Sequence, residues 1–341
     1  MVYFQEKEIK KILIKSVNWI GDAILTTPAV SSLRKNFPGA KISILAKPWV
    51  SEIFKGNPDI DEVIIYEKTN LGKRLRLIRE LRERRFDMAV LFQNAFEAAI
   101  IALLSGIPIR LGYSTDGRGF LLKPSVPIKP ETMKRHHLEY YLYLLRGAGL
   151  NVEREPPTLN LNEKEKTWAI DILKKKGWDE NMPLAGINPG ATYGRAKRWY
   201  PERFALLADR LMNEGIIVII FSGPGEKDIV EEVKNRMTTK PIISEGTSVR
   251  ELASLIGKCS VFISNDTGPM HMASALKVPV TAIFGSTDPD ATGPVGEGHR
   301  IIYKGVECSP CFLRECTKDF RCMDLITVDE VFHIAKDVLR R

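Results

Sequence analysis

"SVFISNDTGPMHMASALKVPVTAIF", residues 260–284, decides the fold. Its ends, "SVFIS" and "VPVTAIF", are short runs rich in β-branched and aromatic residues with the length of buried strands, and a helix of small residues and methionines lies between them. Strand, helix and strand in that order make a crossover unit, and such units build a parallel sheet covered on both faces. The first junction is also crowded with polar chemistry. Asn265, Asp266, Thr267, Gly268 and His271 gather where strand gives way to helix.

The same alternation extends through the second half of the chain. "LAGIN", "IIVIIF" and "PII" read as further strands, separated by the helical patterns "PERFALLADRLMNEG", "EKDIVEEVKNRM" and "SVRELASLIG". The first half repeats it with "KKILIKSV", "KISILA", "DEVIIY" and "DMAVLF", joined by "AILTTPAVSSLRKNF" and "KRLRLIRELRERR". At 341 residues the chain exceeds what one hydrophobic core usually serves, so two domains are expected. The expected fold class is α/β, with two doubly wound parallel sheets facing each other across a cleft. The N-terminal domain is placed at 1–155, the C-terminal domain at 162–326 and a final amphipathic helix at 327–341. The polar, proline-containing "NVEREPPTLNLN" at 151–162 is the linker, and Val328, Val331, Phe332, Ala335 and Val338 form the stripe of the last helix. Ligands in such sheets bind at the carboxyl ends of the strands.

Composition narrows the function classes. The apolar fraction is 44% and the longest apolar stretch, "AAIIALL" at 98–104, is far too short to cross a bilayer. With a charged first segment, this sets the expectation of a cytoplasmic protein. The net charge of +8 is unevenly spread: residues 1–150 carry 24 Lys and Arg against 15 Asp and Glu, and the remainder is nearly balanced. A basic half points to an anionic partner, whether nucleic acid, phosphorylated substrate or acidic membrane.

The strand-end turns carry the candidate chemistry. After the first strand, "SVNWIGDAILTTPAV" has the single Gly21 where a dinucleotide fold would present G-x-G-x-x-G, which disfavours NAD. Asp22 stands there at a helix start, either as a cap for backbone N–H groups or as a general base. In "SNDTGPMH" the helix starting near Gly268 and Pro269 offers free N–H groups and partial positive charge to a phosphate, with Thr267 and His271 beside it. "GINPGATYGRAKRWYPERF" leaves another strand through Gly190, Thr192, Gly194, Arg195 and Lys197, and the two turns together suit a diphosphate. A third turn, "FSGPGEKDI", offers Glu226 to the hydroxyls of a ribose, or else leaves it solvated.

"NWIGDAILTTPA", "NPGATYGRAKRWYPERFALLADRL" and "SNDTGPMHMASALKVPVTAIFGSTDP" together resemble the bacterial lipopolysaccharide core heptosyltransferases, glycosyltransferase family 9. "LFQNAFEAAIIALLSGIPIRLGY" and "CSPCFLREC" are most similar to the members that add the second heptose. The resemblance runs over nearly the whole chain. It implies a GT-B architecture of two Rossmann-like domains, with acceptor on the first and nucleotide sugar mainly on the second. It implies inverting transfer of L-glycero-D-manno-heptose from ADP-heptose to an acidic, phosphorylated glycolipid, at the inner face of the inner membrane and without a required cofactor. By resemblance Asp22 is the base, with Lys197 a second catalytic group that stabilises the leaving diphosphate. Thr192, Lys197, Glu226, Asp266, Thr267, Gly268 and His271 are donor contacts. Asp266, which would repel a phosphate, is assigned to backbone hydrogen bonds or to holding His271 protonated. Asn94, Arg76 and Arg79 are placed at the acceptor. A first-heptose transferase or another core-sugar transferase of the family would share the donor turns.

Two further motifs have alternative readings. "KRLRLIRELRERR" sets Leu75, Ile78 and Leu81 inward and crowds Lys73, Arg74, Arg76, Arg79, Arg82, Arg84 and Arg85 outward, as a solvated face or a contact zone for lipid phosphates. The stripe would also suit RNA, but no nucleic-acid module accompanies it, and nucleic acid is not an expected partner. Cys308, Cys311, Cys316 and Cys322 have a spacing that permits structural zinc, while "DPD" at 288–290 reads as a turn in preference to a metal site.

Overall fold

The structure, a computed structural model, describes residues 8–67, 70–129, 132, 135–223 and 225–340. The chain divides into two compact units, one ending at Asn160 and the other beginning at Leu161.

The first unit holds a six-stranded sheet of β1 (Lys11–Lys15), β2 (Lys41–Ala46), β3 (Glu62–Ile65), β4 (Met88–Leu91), β5 (Ile109–Tyr113) and β6 (Ser125–Val126), in the order β3-β2-β1-β4-β5-β6. The second holds β7 (Leu184–Asn188), β8 (Ile217–Phe221), β9 (Ile242–Ser244), β10 (Val261–Asn265), β11 (Val280–Phe284) and β12 (Arg300–Tyr303), in the order β12-β11-β10-β7-β8-β9. Every pairing is parallel. Renumbered within each unit, the two orders are identical and correspond to the doubly wound Rossmann arrangement. The winding reverses between β1 and β4 in one sheet and between β7 and β10 in the other. Ligand crevices open at those points.

Burial explains why these segments are strands. β4, β7, β10 and β11 are buried along their whole length, so they read as continuous apolar runs. β5, β6 and β12 escaped the sequence reading, since "IRLGY", "SV" and "RIIY" are short or mixed in character and lie toward sheet margins. "AILTTPAVSSLRKNF" forms two helices, Ile20–Leu25 and Thr27–Asn36, because Pro28 has no N–H to continue the first. The closing helix Val328–Leu339 buries Val331, Phe332, Ala335 and Val338 against the core of the second unit, where Trp199 and Phe204 stack edge to face.

The basic helix Leu71–Arg84 differs from expectation. Its inward residues are Leu77 and Leu81, with Ile78 partly covered, and Leu75 points outward at 57% exposure. The inward stripe is therefore rotated from the predicted one, leaving a leucine row in the open.

Candidate active site

In the second unit three turns converge at the carboxyl ends of β7, β8 and β10. β7 ends in Asn188, whose amide N lies within donating distance of Thr267 Oγ1 at 3.3 Å and Ser264 Oγ at 3.4 Å. β10 ends in Asn265, which donates to the Pro189 carbonyl at 2.9 Å and accepts from the Trp199 N–H at 3.0 Å. These two buried amides stitch the turn after β7 to the turn after β10 without introducing charge. Asn265 was noted only as part of the polar junction and Asn188 not at all, though an asparagine closing an apolar strand in both "LAGIN" and "VFISN" was a visible signal.

Lys197 and Asp266 meet across this seam, Nζ to Oδ2 at 2.5 Å, with only 13% and 6% of their side chains exposed. Thr287 Oγ1 donates to the same carboxylate oxygen at 2.8 Å, and the Tyr193 ring lies under the Lys197 ammonium at 4.9 Å. Asp266 thus holds Lys197, a partner that the sequence reading did not name for it. The two turns approach closely enough for an ion pair, which spacing along the chain does not reveal. His271 is buried in the helix Gly268–Ala275, while Thr267, Gly268 and Pro269 at its start are partly exposed. Thr192 and Arg195 are exposed on the turn after β7.

Glu226 joins them from the turn after β8. Its carboxylate accepts from the Gly223 N–H at 3.1 Å and lies so near Gly190 that a Cβ there would overlap it. The alternative of a solvated glutamate is excluded by its 8% exposure. Burial raises its pKa, opposed by the Gly223 hydrogen bond and the charge of Arg198.

The cysteine segment braces this turn. The Tyr193 hydroxyl donates to the Phe312 carbonyl at 2.7 Å, and Ala196 N–H to the Arg314 carbonyl at 2.9 Å. Cys308, Cys311, Cys316 and Cys322 are free thiols around a cavity of about 20 Å³. Among the described residues no group of three or more His, Cys, Asp or Glu side chains is placed to hold a metal ion, so the zinc-compatible spacing does not become a preformed site. Asp288 of "DPD" accepts from the Asp290 N–H at 2.9 Å, the geometry of a turn. Gly194 passes close under the bracing segment, and a Cβ on it would overlap the Arg314 carbonyl oxygen and lie 2.8 Å from its Cα. Both atoms are backbone and cannot swing aside. Gly194→Ala is expected to destabilise the second unit by roughly 1–3 kcal/mol, the usual cost of overpacking, read by denaturant unfolding.

In the first unit Asp22 lies in the first turn of Ile20–Leu25, which has Trp19 at its N-cap and no side-chain cap. The capping reading fails because the helix starts two residues before Asp22. Its carboxylate is partly exposed and stands 3.8 Å from His137 Nδ1, a neighbour the sequence reading missed. Beside it, at the end of β1, Ser16 Oγ and Asn18 Oδ1 are buried without a partner among the described residues. Unmet polar atoms at a switch-point edge suit a polar ligand. Lys15 is buried at the same end, and burial, then the charge of Lys47, lower its pKa to about 8. Asn94 is engaged at both ends, accepting from Arg118 Nη2 at 2.8 Å and donating to the Tyr140 hydroxyl. Arg118, fully buried, also donates to the carbonyls of Gln93 and Tyr113, so Asn94 belongs to an internal brace.

Arg76 and Arg79 are not gathered with Asp22. Their helix leaves the carboxyl end of β3 and finishes near the amino end of β1, where Lys11 Nζ donates to the Arg84 carbonyl at 3.0 Å. Both side chains stand on its exposed outer face. A separate cavity of about 230 Å³ in the second unit, lined by Trp168, Lys176, Ser244 and Thr247 among others, contains none of the predicted site residues.

Residues 74–320 match the family model of glycosyltransferase family 9 (heptosyltransferase). The chain belongs to glycosyltransferase family 9. Family 9 relatives include the lipopolysaccharide heptosyltransferase 2 of Escherichia coli K12, 28% identical over 308 residues that cover 86% of this chain and 87% of that protein. The lipooligosaccharide heptosyltransferase 2 of Campylobacter jejuni serotype O:2 is 27% identical over 97% of this chain and 98% of its own. The solved E. coli ADP-heptose LPS heptosyltransferase II superposes with a TM-score of 0.84 at 27% identity, covering 97% of this chain and 98% of that one. The α/β class and the paired Rossmann-like sheets expected from sequence are those of a family 9 glycosyltransferase, and the protein is an enzyme of that kind.

Proposed function

We propose that this glycosyltransferase moves L-glycero-D-manno-heptose from ADP-heptose to the first heptose of the lipid A–Kdo inner core, in lipopolysaccharide synthesis at the cytoplasmic face of the inner membrane. The observation that carries the reading is the second unit's seam. A largely covered cation, a partly exposed helix start and a buried carboxylate converge there on strand ends, and they match the parts of a nucleoside diphosphate. Lys197 and the N–H groups of Thr267 and Gly268 face the phosphates, with Thr192 and His271 alongside, and Glu226 accepts from the ribose hydroxyls. The acceptor belongs to the first unit, where Asp22 takes the proton of the attacking hydroxyl. The oxygen then bonds the anomeric carbon with inversion as the bond to the ADP oxygen breaks. The charge gathering on ADP is met by groups already in place, so no metal step is invoked.

The test is ADP release and product mass with ADP-heptose and Kdo₂-lipid A, with and without one heptose. Turnover confined to the heptose-bearing acceptor, unchanged in EDTA, is the expected result. Turnover on the bare acceptor would make the enzyme a first-heptose transferase.

Glu226 supplies a pH signature. As pH falls through its raised pKa the carboxylate is neutralised and its hydrogen bonds to the ribose weaken, so ADP affinity should begin to fall at a higher pH than for a surface glutamate. Glu226→Gln should weaken ADP binding by about 10- to 100-fold, the worth of a charge-assisted hydrogen bond, and flatten that profile in calorimetric titrations.

A further inference from the structure

The leucine row on Leu71–Arg84 belongs to a larger surface. Leu71 and Leu75 are 69% and 57% exposed and lie one helical turn apart. The helix Phe96–Leu104 runs alongside, fixed by Arg74 Nε 3.4 Å from Glu97 and by Arg82 Nη2 donating to the Leu104 carbonyl at 2.5 Å. Its outward residues Phe96, Leu103 and Leu104 are likewise open, and Phe120, 79% exposed, stacks beside Phe96 at 6.3 Å between ring centroids. Two neighbouring helices therefore each show apolar side chains to solvent. Scattered exposed leucines need no explanation, but two adjacent apolar patches beside a cluster of arginines do.

The arginines belong to the first of these helices. Arg79 and Arg82 follow Leu75 at offsets that keep them on its side of the helix, and Arg76 is next to it. Among the described residues Arg76 and Arg79 have no ion-pair partner, whereas Glu80 is taken up by Arg84 at 2.7 Å. Unpaired guanidinium groups around aliphatic side chains match an interface with anionic headgroups above and hydrocarbon below, where long basic side chains reach the phosphates while leucines enter the acyl boundary. RNA fits less well: Phe96 and Phe120 have π-faces on which a base could stack, but the four leucines that make up most of the apolar surface do not.

We propose that the outer face of Leu71–Arg84 and Phe96–Leu104 is a docking surface for an anionic lipid bilayer. It deepens the glycolipid-acceptor reading by naming the face that meets the membrane, and it rests on that reading only for its setting.

The test is co-sedimentation of the full chain, without substrate, with vesicles of phosphatidylcholine alone or mixed with phosphatidylglycerol. Binding is expected only to the anionic vesicles and should weaken in high salt. Arg76→Gln with Arg79→Gln should weaken it about thirtyfold, since each basic side chain near such a surface is worth ~1 kcal/mol. Leu75→Gln with Leu103→Gln should weaken it about tenfold or more by removing the inserted apolar area. The leucine variant should keep its unfolding midpoint and its turnover on a water-soluble, delipidated acceptor. Equal binding to both vesicle types, or undiminished binding by the leucine variant, overturns the proposal. So does retention on RNA, or self-association lost in the leucine variant, when vesicles are not bound. Failed turnover with intact vesicle binding would instead count against the transferase reading alone.

Discussion

Asp22→Asn is expected to lower kcat by roughly 10²–10⁴-fold, the usual contribution of a positioned general base. The substitution keeps shape and removes only the capacity to take a proton. Asp22 makes no side-chain cap to its helix and stands 3.8 Å from His137 Nδ1, beyond hydrogen-bond reach, so folding should be almost unaffected. ADP-heptose affinity should hold as well, because the donor is assigned to the other unit. Rapid-quench turnover, ADP titration and thermal unfolding measure the three quantities. A variant with wild-type kcat would remove Asp22 from the mechanism, and a lowered unfolding midpoint would show that it serves the fold.

Lys197→Met should be costly twice over. As the cation placed for the leaving diphosphate, its loss is expected to cost about 10²–10³ in kcat, the range for removing one preorganised donor. It also strands Asp266, which is 6% exposed and is left with the neutral Thr287 hydroxyl in place of an ammonium. Breaking a buried pair on one side typically costs ~3–5 kcal/mol, because a charge is left without compensation. The double variant Lys197→Met with Asp266→Asn separates the two effects. It should recover most of the stability, measured by denaturant unfolding, and none of the activity. Recovery of both would mean that the pair is structural and that the diphosphate is held elsewhere.

Most of the architecture was legible because parallel sheets write themselves as apolar runs. "KISILA", "SVFIS" and "VPVTAIF" have no competing interpretation, and the turns that follow such strands are short enough to name Asp22, Lys197, Glu226 and Asp266 in advance. What was hidden depends on distances across the sheet. Nothing in the spacing of Lys197 and Asp266 says that they are ion-paired, and the helix of residues 71–84 kept its period while its inward face was set by Leu77 instead of Leu75. Arg118 is a further case. A lone arginine in a loop reads as solvated, yet here it is fully buried and spends its donors on carbonyls around Asn94. The four cysteines showed a metal-like spacing whose visible service is to line the segment that braces a turn.

That brace bears on how the protein is made. The turn carrying Lys197 is tied to carbonyls at 312 and 314, and the Trp199 indole N–H and Arg203 donate to carbonyls near Ile326. A chain emerging from the ribosome presents the lysine more than a hundred residues before these partners exist. The sheet of the second unit can assemble strand by strand, but the cation acquires its bearing only when nearly the last of the chain has arrived. Premature termination within the cysteine segment would therefore leave a half-built enzyme whose strands pair and whose nucleotide cradle never sets.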